Sequence, residues 1–354
     1  MSDCMNCNRV EPIQDTGYVW LRPSAAFALN KMEQLGASHD FCAHSGSKAY
    51  YLHYEHKETL LDVFATLRRI CTPEDIKEVS MLLTTSPDLE PPQTGWLHMD
   101  TYFSRMQHHD LVSIIQAKRF ASYMQPIAAT ESNTVYGYEF LLRPAPDGQA
   151  FQPYQLFQVA QETGLHSFLD RAARISAIET SHAHLPKGLK RFINFLPSSI
   201  YNPNYCLSHT FEAIQRFDLD PADFVFEVVE TEHIASVNHL RSIFEVYKRA
   251  GIQVALDDVG AGYSTIDVLN ELKPDFVKID RDLIDGCDLD LSKQHKIKQI
   301  VKASSAFGAK VLAEGMERKE EWEFCKMAGI PLAQGYLIGK PSAEKLQSDV
   351  IVIA

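Results

Sequence analysis

Several short apolar segments of this chain each end in a side chain that could bind a metal ion or carry a proton. Carboxylates and amides predominate at these positions and no thiolate occurs among them, which favours Mg²⁺ or Mn²⁺ over softer metals. Convergence of such segments would therefore create a divalent metal site. In chain order the residues are Glu139, Asn194, Glu227 with Glu230, Asp257 with Asp258, Lys278 with Asp280, Glu314 with Glu317, and Gln334.

The adjacent acids Asp257 and Asp258 indicate a site with two ions. Neighbouring side chains of a strand diverge, but at a strand end or turn both carboxylates can reach metal. A shared Asp257 carboxylate could bridge two ions about 3.5–4 Å apart, the usual arrangement for phosphodiester hydrolysis. Lys278 ends a buried strand, so its ammonium needs carboxylates or a substrate phosphate as partners. Glu314 could help hold the second ion or accept a proton from the attacking water.

Single members of this set also have purely structural interpretations. Asp280 could cap the helix that follows it, and Glu317 could favour the positive end of a helix dipole. Asn194 could be a turn residue. Many acids converging without a cation would repel one another, so the set as a whole favours a metal site.

The elements that carry these residues alternate between strand and helix from about residue 118 onward. About eight strands result when YMQPI, at residues 123–127, is counted ahead of the first acid-bearing segment. In a ring of parallel strands, catalytic groups lie at the C-terminal strand ends. The alternation predicts a (β/α)8 TIM-type barrel over residues 118–354. An open doubly wound sheet is the alternative, but it predicts a glycine-rich loop after the first strand, which the sequence lacks.

The first 85 residues predict a smaller α+β domain with a regulatory or interaction role. Strands are expected at VWLRP and KAYYLHY, and helices at residues 24–36 with a Ser24 cap, 56–71, and 72–85 with a Thr72 cap. The proline-rich segment SPDLEPPQTG marks the expected boundary. Residues 86–117 are predicted as a linker and one connecting helix.

Length, composition and charge restrict the classes of protein that fit. The chain has 354 residues, 45% of them hydrophobic, and a net charge of −12, which disfavours binding to DNA or anionic membranes. No segment approaches the roughly 20 apolar residues of a membrane span, and residues 1–15 lack an apolar signal core. A cytoplasmic protein is expected. Its seven scattered cysteines do not resemble a disulfide framework.

A zinc site in the first domain is a further hypothesis. Cys4 and Cys7 form one C-x2-C pair, but without a second spaced pair the signal is weak. The alternative is that these side chains are ordinary polar residues in a module that binds a protein partner. The residues that could complete the site are His39, Cys42, His44, His53 and His56.

Residues 118–345 resemble the EAL family of cyclic di-GMP phosphodiesterases, whose signature triplet stands here as Glu139-Phe140-Leu141. The resemblance implies a barrel enzyme, acting as a homodimer, that opens cyclic di-GMP to linear pGpG with two Mg²⁺ or Mn²⁺ ions. It assigns the first ion to Glu139, Asn194, Glu227 and Asp257, the second to Asp257 and Asp258, and the attacking water to Lys278 and Glu314. It also implies that Glu230 braces the loop from Asp257 to Ser264. Positions near substrate or behind the ligands would be Gln125, Arg143, Asp280, Glu317 and Gln334.

The chain departs from the family pattern without losing a ligand. Phe140 replaces the alanine of the signature, and Val259 and Ala261 replace an aromatic residue and a threonine in the DDVGAGYS loop. A second hypothesis is therefore a weak or inactive effector that binds cyclic di-GMP and signals through residues 1–117. A third is a purely protein-interaction role with structural acids, which predicts no nucleotide binding.

Overall fold

The structure is a computed structural model that describes residues 14–23, 30–44, 47–85, 95–228, 237–260 and 266–353. Contacts divide the chain into two units. The smaller unit contains the residues up to Lys118 together with Tyr154–Phe168. The larger unit contains Arg119–Pro153 and the residues from Leu169 onward.

An antiparallel five-stranded sheet with the order β2-β3-β1-β4-β5 is the centre of the smaller unit. Its elements are β1 (Gly17–Arg22), α1 (Asn30–Gly36), β2 (Cys42–Ala43), β3 (Tyr50–Tyr54), α2 (Lys57–Ile70), α3 (Pro73–Glu78), β4 (Ser80–Thr84), β5 (Leu97–His98), α4 (Met99–Gln107) and α5 (His109–Ala117). Strand side chains alternate between faces. Val19 and Leu21 of β1 therefore pack in a core with Leu60 of α2, and Trp20 lies with Leu82 on the opposite face.

The expected Thr72 cap is confirmed, but the helix prediction beyond it was wrong from residue 80 onward. The Thr72 side chain accepts the N–H of Asp75 in a capping box. The Ser80–Thr84 segment instead pairs with β1. Its consecutive apolar residues Met81 and Leu82 point to opposite faces of the sheet and enter the two separate cores there. The Ser24 cap lies outside the described residues.

The predicted linker and connecting helix contribute structure to the smaller unit. Strand β5 pairs with β4, and Met99, Tyr102 and Phe103 of α4 belong to the core of this unit. Two helices form where one was expected, because the backbone of His108, with φ −109° and ψ 31°, is not helical. The unit accordingly continues to Lys118 rather than ending at the proline-rich segment.

The larger unit is a closed eight-stranded barrel in the order β10-β11-β12-β13-β6-β7-β8-β9, as the sequence predicts. Short 3-10 turns at Pro197–Ser199 and Pro221–Asp223 flank β8 and β9. From residue 120 onward the elements in chain order are β6 (Phe120–Ala129), β7 (Thr134–Pro144), α6 (Pro153–Glu162), α7 (His166–His184), β8 (Lys190–Phe195), α8 (Pro203–Cys206), α9 (Ser208–Arg216), β9 (Phe224–Val228), α10 (Val237–Arg249), β10 (Gln253–Val259), α11 (Ile266–Leu272), β11 (Phe276–Ile279), α12 (Arg281–Ile284), α13 (Leu291–Ser305), β12 (Lys310–Ala313), α14 (Lys319–Met327) and β13 (Leu332–Gln334). Of these, α6 from Tyr154 onward and α7 as far as Phe168 belong to the smaller unit.

One strand departs from the expected parallel ring. Strand β6 runs antiparallel to both of its neighbours, β7 and β13, so the prediction that all strands are parallel was wrong. Only four residues separate β6 from β7, and a parallel crossover needs a dozen or more. The connection is a hairpin turn in which Asn133 adopts a φ of +53°.

A layer of apolar side chains fills the barrel interior, and it comes from seven of the eight strands. These residues form one cluster, and the partly buried Tyr136 of β7 packs against it. A packed interior of this kind leaves polar groups room only at the ends of the barrel. The layer consists of Ile127, Phe192, Val225, Ala255, Phe276, Leu312 and Leu332.

Within the described residues, no helix combines the length and apolar character needed to cross a membrane.

Candidate metal centre

The polar residues at the strand ends lie one layer above the apolar interior. Each follows an interior residue by two positions, and a separation of two places both side chains on the same face of a strand. The barrel therefore aims them together into its C-terminal mouth. The pairs are Phe192 and Asn194, Val225 and Glu227, Ala255 and Asp257, Phe276 and Lys278, Leu312 and Glu314, and Leu332 and Gln334.

Lys278 is at the centre of this cluster. Its Nζ lies 2.7 Å from Glu314 Oε1, 2.8 Å from Glu227 Oε2, 3.0 Å from Asp257 Oδ2 and 3.8 Å from Glu139 Oε2. The lysine is 1% exposed and Glu227 is 0% exposed. A buried ammonium is stable only when it is paired. The lysine and the acids therefore stabilise one another in the mouth.

Two amides fix the carboxylate of Glu139. Asn194 Nδ2 donates to Oε1 at 2.9 Å, and Gln334 Nε2 donates to Oε2 at 2.7 Å. Gln125 lies directly opposite Glu139 in the register of β6 and β7, and its Nε2 donates to the carbonyl of Gly339 at 3.2 Å. The Glu139 carboxylate is therefore oriented from both sides.

The electrostatic environment lowers the pKa of one acid of the cluster and raises the pKa of three others. Burial raises the pKa of Glu139, but the Lys278 charge and the two amide hydrogen bonds outweigh that effect and leave the pKa below its usual value. Burial, with the charges of neighbouring acids, raises the pKa of Glu227 and Glu314 well above the usual value in spite of Lys278. The pKa of Asp257 is also raised, chiefly by burial. The cluster therefore contains more carboxylates than the single positive charge of Lys278 can neutralise.

Three of these acids form a set that could hold a cation. Ligand oxygens of Asp257, Asp258 and Glu314 lie within 4.8 Å of one another. The register of β10 shifts between Leu256 and Val259, and Asp258 has a φ of +52°. This irregularity breaks the alternation of the strand, which is why adjacent carboxylates can face one point.

The oxygen atoms in the mouth are of the kind that binds divalent metal ions. Glu227 Oε1 and Gln334 Oε1 are buried and have no hydrogen-bond partner in the described structure. Buried acceptors left in this way are costly unless a cation or water satisfies them. All the oxygens are hard ligands, the kind that Mg²⁺ and Mn²⁺ prefer.

The remaining predicted residues lie around this cluster. Arg143 donates to the carbonyl of Leu142 at 2.8 Å. Asp280 caps α12 through the N–H of Asp282 at 2.8 Å, which is the structural role weighed for it. Glu317 pairs with Arg281 at 2.8 Å on the exposed rim. The structure thus brings Glu139, Asn194, Glu227, Asp257, Asp258, Lys278, Glu314 and Gln334 together, with Gln125 beside them, and gives Arg143, Asp280 and Glu317 other polar partners.

Two of the departures from the family pattern belong to the core outside the barrel. Phe140 and Val259 both lie in that apolar cluster, and Phe140 alternates with Glu139 along β7. The proposed brace, Glu230, and the substituted Ala261 lie outside the described residues.

One buried network that supports the site was not predicted from the sequence. Asp170 of α7 accepts the backbone N–H of Leu196 at 2.9 Å and the hydroxyl of Ser199 at 2.6 Å. Arg174, one turn further along the helix, pairs with the same carboxylate at 3.1 Å. This network anchors the turn that follows Asn194. The (i, i+4) acid–arginine spacing in LDRAAR was a signal for the pair, although not for its burial.

The zinc hypothesis gains no support from the described cysteine and histidine residues. His39 contacts Asp62 at 3.0 Å, His44 contacts Ser47, and the ring of His53 packs on Tyr18. The group of three metal-type ligands found among the described residues is the acidic one in the barrel. Cys4 and Cys7 lie outside the described residues.

The fold and the site together define a closed barrel with a carboxylate-rich mouth that could hold divalent cations. A profile of the EAL domain matches residues 108–341, about two thirds of the sequence, and the chain belongs to the EAL domain family.

Two similar curated proteins are named as probable cyclic di-GMP phosphodiesterases. The chain is 27% identical over 235 residues to the probable cyclic di-GMP phosphodiesterase PdeB of Escherichia coli K12, covering 66% of this chain and 45% of PdeB. It is 28% identical over 255 residues to the probable cyclic di-GMP phosphodiesterase PdeG of the same organism, covering 69% and 49%. The chain thus spans about half the length of these relatives.

Solved structures share the fold. A standalone EAL protein from Vibrio cholerae O395, in a c-di-GMP bound form, is 33% identical with a TM-score of 0.59 and covers 66% of this chain and 95% of that one. BlrP1 of Klebsiella pneumoniae, in a calcium and cyclic di-GMP complex, is 20% identical with a TM-score of 0.57 and covers 92% of this chain and 96% of that one. The second similarity concerns the fold alone.

Proposed function

We propose that this protein hydrolyses cyclic di-GMP to linear pGpG with two divalent cations, Mg²⁺ or Mn²⁺, in the barrel mouth. The observation that carries the proposal is the shared position of the acids in one layer around Lys278, with unsatisfied buried oxygens among them. So many acids in a largely buried site would be unfavourable unless they served a cation. Membership of the EAL domain family supplies the substrate class.

Glu139, Asn194, Glu227 and Asp257 would hold one ion, and Asp257 with Asp258 would hold the other. Bound cations would neutralise developing charge on the phosphodiester and acidify a water molecule. Asn194 would present its oxygen to the ion while its amide continues to orient Glu139.

The protein's own groups perform the remaining steps. Lys278 keeps the acids together and places a positive charge where the phosphate arrives. Glu314, whose pKa is raised chiefly by burial, is a suitable acceptor for the proton of the attacking water. Gln334 and Asn194 prevent rotation of the Glu139 carboxylate.

We infer further that the protein acts in the cytoplasm as a homodimer and that its smaller unit contacts a regulatory protein partner. These proposals rest on family membership and on the chain's two-unit organisation.

Chromatographic separation of cyclic di-GMP and pGpG, with and without Mn²⁺, tests the activity. Wild-type protein should produce pGpG only when a divalent ion is present. Glu139→Gln should lose about 100-fold or more in turnover, because it removes a charge from the proposed metal site. Glu179→Gln, which alters an exposed acid of α7 paired with Arg216, is the matched control and should retain full turnover.

Two outcomes would overturn the proposal. Metal-loaded wild type that binds cyclic di-GMP tightly without producing pGpG would instead establish a binding effector. Wild type whose melting temperature does not change with cyclic di-GMP would favour a role in protein interaction.

A further inference from the structure

The segment that follows β12 carries Glu314 and is held by contacts on several sides. The backbone N–H of Glu314 donates to the carbonyl of Ile279 at 3.1 Å, and that of Met316 donates to the carbonyl of Gln334 at 2.9 Å. These bonds connect the segment to the neighbouring strands β11 and β13 as it leaves the barrel.

A single buried carboxylate receives the next N–H groups of this segment. Glu321 of α14 is 1% exposed, and its Oε2 accepts the backbone N–H groups of Glu317 at 3.2 Å and Arg318 at 3.0 Å. Its Oε1 accepts the backbone N–H of Gly286 at 3.0 Å and the Nε–H of Arg318 at 2.9 Å. Both oxygens are therefore occupied by donors from two separate loops.

Arg281 holds the same segment from its other side. Gly315 has a φ of +66°, and a Cβ at that position would lie 2.2 Å from Arg281 Cγ, so the arginine stem lies directly across the glycine. The guanidinium then pairs with Glu317 at 2.8 Å. The turn after Glu314 is thus enclosed between α12 and α14.

The position of this turn decides the geometry of the three-acid set. Asp257 and Asp258 are neighbours on strand β10, whereas Glu314 comes from the segment after β12. A displacement of that segment would change the distance between Glu314 and the two aspartates without moving either of them.

We propose that Glu321 is a positioning residue that sets Glu314 at its working distance from Asp257 and Asp258. This role rests on the proposed function, since it assumes that those acids hold a cation. Residues that orient metal ligands from behind commonly change metal affinity or activity by about 10–100-fold when they are replaced.

Glu321→Gln provides a nearly isosteric test. Each carboxylate oxygen of Glu321 accepts two N–H groups. In either orientation of a glutamine amide, its NH₂ group would face two donors and repel them. The turn should therefore shift although the volume of the side chain is preserved.

Asp223 offers a matched control at the opposite end of the barrel. It precedes β9, is buried, and its Oδ2 accepts N–H groups of Gly188 and Arg191, each at 2.9 Å. Asp223→Asn should lower the melting temperature by less than Glu321→Gln does, and Asp223→Ala should lower it by more. The two variants therefore control for the loss of stability in Glu321→Gln. Neither change touches the mouth, so both should retain wild-type cation binding.

The decisive measurement is calorimetric titration of full-length protein with Mn²⁺, well below the melting temperature of each variant. Glu321→Gln should bind Mn²⁺ about tenfold or more weakly, and kcat for cyclic di-GMP should fall by a similar factor with KM nearly unchanged. Equal Mn²⁺ affinity in Glu321→Gln and the Asp223 variants would overturn the proposal, as would wild type that binds no Mn²⁺.

Failure of the proposed function gives a different result. If wild type binds Mn²⁺ but produces no pGpG, the activity is refuted and the Mn²⁺ titration still decides the role of Glu321. If Glu321→Gln does not fold, Arg318→Met removes one donor to Glu321 Oε1 and leaves the backbone contacts. That variant should also weaken Mn²⁺ binding, and unchanged affinity would refute the positioning role.

Discussion

Replacement of Lys278 by methionine tests whether this lysine is what allows the acids to occupy one site. Methionine approximates the volume of the stem but removes the charge that lies within 3.0 Å of three carboxylates. The acids would then face one another in a largely buried barrel mouth without a neutralising charge. We expect the metal-free protein to lose stability, and a divalent cation to restore part of it.

The magnitude follows from the burial of the pairs. Removal of one partner of a buried ion pair costs about 3–5 kcal/mol. Glu227 and Glu314 already have raised pKa values, so they can take up protons and limit the loss to about 3 kcal/mol, the lower end of that range. For a unit of this size, 1 kcal/mol corresponds to about 2–4 °C in melting temperature. The expected decrease for the barrel transition is therefore about 6–12 °C.

The assay is thermal unfolding of Lys278→Met in EDTA and in excess Mn²⁺. The control is Lys310→Met, which removes an exposed lysine that donates to the hydroxyl of Tyr136 at 3.0 Å and should cost less than about 1 kcal/mol. The decrease in Lys278→Met should be smaller in Mn²⁺, because the ion supplies the missing charge and binds only the folded state. Equal melting temperatures of the two variants in EDTA would refute the reasoning, as would a decrease that Mn²⁺ does not reduce.

Three further outcomes are expected. The cluster acids with raised pKa values must lose protons to bind Mn²⁺, so Mn²⁺ affinity should rise with pH. The released protons are taken up by the buffer, so the binding enthalpy should differ between buffers of different ionisation enthalpy. A binding enthalpy that is the same in all buffers would contradict this. Gly335→Ala should lower both the melting temperature and Mn²⁺ affinity, because its Cβ would lie 2.1 Å from the backbone of Met316 beside the mouth. Gly329→Ala should lower the melting temperature alone, because the φ of +80° strains an alanine there but its Cβ meets no atom within 4 Å. Equal Mn²⁺ affinity in the two variants would count against the argument. Asp170→Asn should lower the free energy of unfolding in urea by about 3–5 kcal/mol, because the buried Arg174 loses its anion; a loss below 1 kcal/mol would contradict that account.

The barrel could be predicted from the sequence because its site residues and its interior residues follow the same two-residue alternation along each strand. An acid two positions after a buried apolar residue identifies both the strand and the face, as Val225 and Glu227 show. That local regularity needs no knowledge of the neighbouring strand. It explains why the polar residues of the mouth could be selected before their contacts were known.

The predictions from the sequence were wrong or incomplete where contacts with distant parts of the chain determine the structure of a segment. The segment at Ser80–Thr84 follows a well-capped helix, and its pairing with β1 and β5 makes it a strand. The direction of β6 depends on the length of the hairpin turn rather than on any strand residue. The anchoring roles of Asp170 and Glu321 require loops that are distant in sequence, so no local pattern could reveal them.

The closure of the barrel between β6 and β13 has a consequence for how the protein folds. These strands join opposite ends of the larger unit's sequence, and the bond from Gln334 to Glu139 spans 195 residues. Contacts between distant segments form slowly, because the chain loses entropy before they can stabilise it. During synthesis from the N-terminus, Glu139 emerges long before Gln334 exists to orient it. The carboxylate-rich mouth can therefore be completed only at the last stage of folding, when the final strand closes the ring.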